Sequence, residues 1–118
     1  MTRHAALAAL ACALAACAPA AVTASVNQPP VPVLSVQASA ATGEAAHIDG
    51  SASTDLDGTV ANGFILFGDG TDPYVAGPSD PLATDHAWTA PGLYLVELYI
   101  DDDKAATARA RFRIQITP

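Results

Sequence analysis

Hydrophobic and polar positions alternate most cleanly between Leu93 and Ile100. Tyr94, Val96, Leu98 and Ile100 fall on one face there, and Leu93, Leu95, Glu97 and Tyr99 on the other. A period of two belongs to a strand. The chain turns at Asp101-Asp102-Asp103-Lys104 and the alternation returns over residues 107–117. Ala108, Ala110, Phe112, Ile114 and Ile116 now share one face, and Arg109, Arg111 and Arg113 the other. Shorter apolar runs predict strands at 33–37, 45–48 and 62–67. The last is closed by Gly68-Asp69-Gly70, and Asp-Gly is a strong turn signal. Residues 49–58 form a polar loop of Gly, Ser, Thr and Asp. Residues 71–84 hold Pro73, Pro78 and Pro81 and predict an irregular stretch with at most one short strand. No segment keeps helical periodicity over three turns. Six or seven short strands at this spacing predict an all-β, two-sheet sandwich.

The amino terminus follows a different logic. Arg3 precedes an unbroken run of Ala, Leu and one Cys from Ala5 to Ala16, shorter than the roughly 20 residues that span a bilayer. This is the pattern of a secretory leader over residues 1–16. Its end, Leu14-Ala15-Ala16-Cys17, resembles the bacterial lipobox, in which a Cys is joined to diacylglycerol and becomes the new amino terminus. The resemblance implies a lipid anchor at Cys17 and export across the inner membrane. Ala18 in place of Asp points to the outer membrane or the cell surface. Two or three acyl chains make such an attachment durable. The plainer alternative is ordinary cleavage after Ala18-Pro19-Ala20. Residues 17–28, small and polar, read as a flexible tether, and residues 29–118 as the domain.

Charge and cysteine count narrow the function. Twelve acidic residues stand against five Lys and Arg in 118 residues, for a net charge of −7, and this predicts no nucleic-acid partner. With Cys12 in the leader and Cys17 acylated, no thiol remains for a disulfide or a nucleophile. There is no G-x-S-x-G elbow, H-E-x-x-H or phosphate-binding loop. His86 follows Asp85, but neighbours on a strand point to opposite faces and do not form a pair. The sequence therefore predicts a protein that is not an enzyme.

Four phrases occur in order: Asn27-Gln28-Pro29-Pro30-Val31; Asp49-Gly50-Ser51-Ala52-Ser53-Thr54-Asp55-Leu56-Asp57-Gly58-Thr59; Phe67-Gly68-Asp69-Gly70-Thr71; and His86-Ala87-Trp88-Thr89-Ala90-Pro91-Gly92-Leu93-Tyr94. Together they resemble the PKD domain, named from polycystic kidney disease protein. The resemblance implies an immunoglobulin-like two-sheet β-sandwich of about seven strands. It also implies a role in extracellular binding, adhesion or spacing. Three positions depart from the family pattern. Ile65-Leu66 stands where Trp-Asp is usual, Trp88 replaces a Tyr, and the glycine expected near Ala105 is missing.

By the same resemblance, some members hold calcium through an amino-terminal Asn, the D-x-D loop and a late Asp, which here gives Asn27, Asp55, Asp57 and Asp102. Ca²⁺ takes six to eight oxygen ligands, and three adjacent carboxylates at Asp101–Asp103 favour a cation. Turn chemistry alone also places Asp and Asn in loops. Arg109, Arg111 and Arg113 admit two readings. They form cross-strand pairs with Glu97, or they form a basic patch for an anionic ligand. The expectation for the whole chain is a non-catalytic, surface-tethered module that binds an extracellular polysaccharide or protein. A passive envelope spacer is the alternative.

Overall fold

The computed structural model describes residues 26–118, so the leader, Cys17 and the tether up to Ser25 lie outside the described residues. The described residues hold eight strands: β1 (Ser35–Val36), β2 (Ser39–Ala41), β3 (Ala46–Asp49), β4 (Val60–Leu66), β5 (Tyr74–Ala76), β6 (Ala83–His86), β7 (Gly92–Asp102) and β8 (Thr107–Thr117). They form a three-stranded sheet, β1-β3-β6, and a five-stranded sheet, β2-β8-β7-β4-β5. The protein is an all-β sandwich with immunoglobulin-like architecture.

The two long strands form the hairpin that alternation predicts, in register from Gly92 opposite Ile116 to Asp101 opposite Thr107. Their inner positions, Val96, Leu98, Ile100, Ile114 and Ile116, are fully buried, joined by Ile65 of β4 and by Ala46 and Ile48 of β3. Burying each large aliphatic side chain contributes about 1.5–3 kcal/mol. Trp88, beyond β6, is completely enclosed, and its indole N–H donates to the Phe67 carbonyl at 3.0 Å. The core lacks the family's aromatic residue at Ile65 but has a larger ring at Trp88.

Two expectations are corrected. Residues 33–37 are not one strand. The chain pairs with β3 only at Ser35–Val36, then steps across the sandwich at Gln37 and Ala38. As β2 it lies parallel to β8, joined by the Gln115 N–H to the Ala38 carbonyl at 3.1 Å. Alternation cannot show this, because both halves bury alternate residues against the same core. The stretch 71–84 holds β5 and the start of β6, more than the single short strand its prolines suggested. Pro73, Pro78 and Pro81 all lie outside the strands, where their missing donors break no ladder.

Asn27 and Gln28, counted with the tether in the sequence, are hydrogen-bonded to the domain. A bridge between Val31 and Thr54 then draws the entering chain alongside the polar loop. Both events bring the amino-terminal segment to the end of the sandwich where β7 turns into β8.

Candidate functional site

At that end the polar loop meets the turn between β7 and β8. Asp55 comes from the polar loop, Asp102 closes β7, and Asp103 begins the turn. One oxygen from each lies within 4.8 Å of the others. Asp102 is almost fully buried and well satisfied. Its Oδ1 accepts the backbone N–H groups of Lys104 (2.9 Å) and Ala106 (2.8 Å), and its Oδ2 accepts Nδ2 of Asn27 (2.8 Å). The Asn27 amide, with those two backbone donors, holds the Asp102 carboxyl below the usual carboxylate range.

Asp55 is the opposite case. Both of its carboxylate oxygens are shut off from solvent without a hydrogen-bond partner, and so is Oδ1 of Asn27. Burial of the group, followed by the neighbouring Asp57 and Asp102 carboxylates, pushes the Asp55 carboxyl up. Unpartnered buried acceptors are costly unless something electropositive meets them. Gly58 closes the loop, where a Cβ would collide with Oδ1 of Asp103 and lie 2.9 Å from Oδ2 of Asp55. Orphaned oxygens facing a tight carboxylate cluster are a donor set suited to a hard cation.

Of the four residues named from the resemblance, Asn27 bonds to Asp102, Asp102 lies in the cluster with Asp55, and the Asp57 carboxylate neighbours Asp55. Asp57 accepts the backbone N–H of Gln28 at 2.9 Å. Asp103, absent from the sequence set, supplies the third carboxylate. The signal for it was present in the run Asp101–Asp103, but alternation could not say which of the three turns toward the loop.

The second feature is the outer face of the five-stranded sheet. Register places Val75, Phe64, Tyr99 and Arg109 in one row across β5, β4, β7 and β8. Phe64 and Tyr99 stack with ring centroids 4.9 Å apart and planes 6° from parallel. The Arg109 guanidinium carbon lies over the Tyr99 ring, 5.8 Å from its centroid. In the next row Glu97 meets Arg111 at 3.2 Å and reaches Arg109 at 3.9 Å. Arg113 stands opposite Leu95 and makes no ion pair among the described residues. Cross-strand pairing therefore accounts for only part of the stripe.

Among the described residues, His47 and His86 each pair with an aspartate. His86 Nε2 meets Asp69 Oδ2 at 2.7 Å, and its ring stacks on Phe67 at 3.8 Å and meets Trp88 edge-on at 4.7 Å. Asp85 faces the other way and pairs with His47 at 2.7 Å.

The described residues thus form a two-sheet immunoglobulin-like module with a carboxylate cluster between its entering segment and its last hairpin. A PKD domain model matches residues 27–116, and the chain belongs to that family. Domains of this family are generally non-catalytic modules. Among solved structures, the PKD1 domain of Vibrio anguillarum Epp is 27% identical, with a TM-score of 0.63 over 78% of this chain and 98% of its own. The PKD1 domain of the Vibrio cholerae metalloprotease PrtV is 23% identical, with a TM-score of 0.62 over 77% of this chain and 100% of its own. A third structure was solved in a study of the promiscuous specificity of carbohydrate-binding modules from the β-sandwich superfamily. It is 28% identical, with a TM-score of 0.71 over 79% of this chain, yet this chain spans only 36% of its length. No curated protein sequence matches the chain.

Proposed function

We propose that the protein is a non-catalytic binding module, held at the outer membrane or cell surface by a lipid on Cys17, that attaches to an extracellular polymer. The observation that carries this reading is the outer face of the five-stranded sheet. Val75 at 68% exposure and Leu93 at 59% flank stacked aromatic rings and an arginine with no acidic partner among the described residues. Exposed apolar surface beside unneutralised charge is the character of an interaction site. The carbohydrate-binding context of one structural neighbour supports a polysaccharide, although that context describes a chain nearly three times the matched length.

The same proposal includes Ca²⁺ at Asn27, Asp55, Asp102 and Asp103, supported by the orphaned oxygens of Asn27 and Asp55. The ion would neutralise the crowded carboxylates and fasten the amino-terminal segment to the last hairpin. The function is tested by co-sedimentation of the purified protein with chitin, cellulose, peptidoglycan and collagen, in calcium and in EDTA. Saturable pelleting is expected, and retention by none of them would leave a passive spacer as the better description. The anchor is tested by Cys17→Ala, which should move the protein out of the membrane fraction.

A further inference from the structure

We propose that the outer face of the five-stranded sheet takes a carboxylate-bearing polysaccharide, laid along β8 so that Arg113 and Arg111 pair with its uronate groups. This rests on the binding-module reading and names its ligand class. Arg109, Arg111 and Arg113 occupy alternate positions of one strand, about 7 Å apart, and all three are exposed. Guanidinium groups match carboxylates through paired N–H donors. In the middle of the face these three guanidinium groups stand against a single carboxylate, Glu97, which pairs with Arg109 and Arg111 and does not reach Arg113. Asp101 stands only at the end, where the Thr107 hydroxyl donates to it at 2.6 Å.

This excess of positive charge belongs to a chain of net charge −7 that has only five Lys and Arg in all. Three of those five are on this stripe, so the local field is opposite in sign to that of the rest of the molecule. Beside the stripe, the Phe64–Tyr99 stack offers an apolar flank, and the Tyr99 hydroxyl accepts from Arg109 at 3.4 Å, steadying that side chain. A basic strip one strand wide suits a single polymer chain. A bilayer or a duplex would also meet the surrounding acids.

The test measures binding of the full chain to polygalacturonate, alginate and hyaluronan, in EDTA so that no calcium bridges form. Fully methyl-esterified polygalacturonate serves as the neutral counterpart. Binding to at least one acidic polymer is expected, weakened tenfold or more by Arg113→Gln, by the double variant Arg111→Gln/Arg113→Gln and, for polygalacturonate, by esterification. Both arginines are exposed, and unchanged melting temperatures will show that the variants remain folded. Binding to none of the three, or unaltered binding by the double variant, would overturn the acidic ligand. Retention on chitin, cellulose, peptidoglycan or collagen would then still uphold a binding module, and its absence there would withdraw both. Equal binding to vesicles of phosphatidylglycerol would also overturn the inference, in favour of a lipid surface.

Discussion

The side-chain amide of Asn27 donates to Asp102 at 2.8 Å, joining residues 75 positions apart. The bond uses the amide nitrogen, so its oxygen remains buried beside the acid cluster without a donor. One contact therefore closes the sandwich and contributes an acceptor to the candidate cation site.

Calcium should therefore act as a structural clamp. At 10 mM Ca²⁺, with a Kd of about 10⁻⁴–10⁻³ M, linkage gives roughly 1.5–3 kcal/mol of stabilisation. In a domain of this size that raises Tm by at least about 5 °C over the value in EDTA. Asp55→Asn and Asp103→Asn should abolish the response, whereas Asp57→Asn, which alters the residue engaged with Gln28, should retain more of it. Equal melting curves in calcium and EDTA for the unaltered protein would remove the metal from the account.

Acid should weaken the fold through Asp69. Burial raises its carboxyl, but the Thr71 hydroxyl, His86 and the Thr71 N–H outweigh burial and hold it below the ordinary value. Its folded value is lower than its unfolded value of about 3.9, so its stabilisation is present above pH 4 and is lost as pH falls through the folded value. Asp69→Asn should cost about 1–3 kcal/mol near neutral pH and flatten the fall of Tm between about pH 4 and pH 2. An acid limb of unchanged steepness would place the loss in other carboxylates.

Ala105 lies in the turn between β7 and β8 with φ of 66°, a region where a Cβ is unfavourable by about 1–2 kcal/mol. Here the sequence departs from a family glycine, yet the backbone keeps the glycine conformation. Ala105→Gly should raise Tm by several degrees, a net gain of about 1 kcal/mol after the added freedom of the unfolded chain. A lower Tm would mean that the turn does not carry this strain. Gly68 is the converse. At φ of 77°, a Cβ would stand 2.5 Å from the Leu95 carbonyl oxygen, so Gly68→Ala should destabilise strongly by chemical denaturation.

Trp88 fills the space between the sheets and shares the buried core with Ile65. Trp88→Ala should cost about 3–5 kcal/mol by urea unfolding, whereas Trp88→Tyr, which restores the family's residue, should cost markedly less. Equal losses would show that ring volume is not what the position requires.

Much of this was legible in residue order. Strict alternation in β7 and β8 identified their inner faces, and the Phe67–Thr71 and His86–Tyr94 phrases marked the turns beside Trp88. Two features were not legible. The crossing from β1 to β2 is set by pairing with β8, a contact between residues more than 70 positions apart that no local pattern encodes. At the acid cluster, Asp103 joined the residues named from the sequence because side-chain direction in a turn follows backbone dihedrals rather than a period of two. The arginine stripe was visible as a pattern, but the structure was needed to show that Glu97 reaches Arg109 and Arg111 and that Arg113 has no ion pair among the described residues.

The central claim is that the outer sheet face binds a polymer, and it is tested most directly by comparing two exposed substitutions on opposite sheets. Retention by a polymer that the unaltered protein pellets would be measured for Val75→Glu, on the outer face of the five-stranded sheet, and for His47→Ser, on the three-stranded sheet. The expected result is loss of retention in the first and full retention in the second, with both proteins folded. Full retention by Val75→Glu together with loss in His47→Ser would place the binding surface on the other sheet and contradict the account.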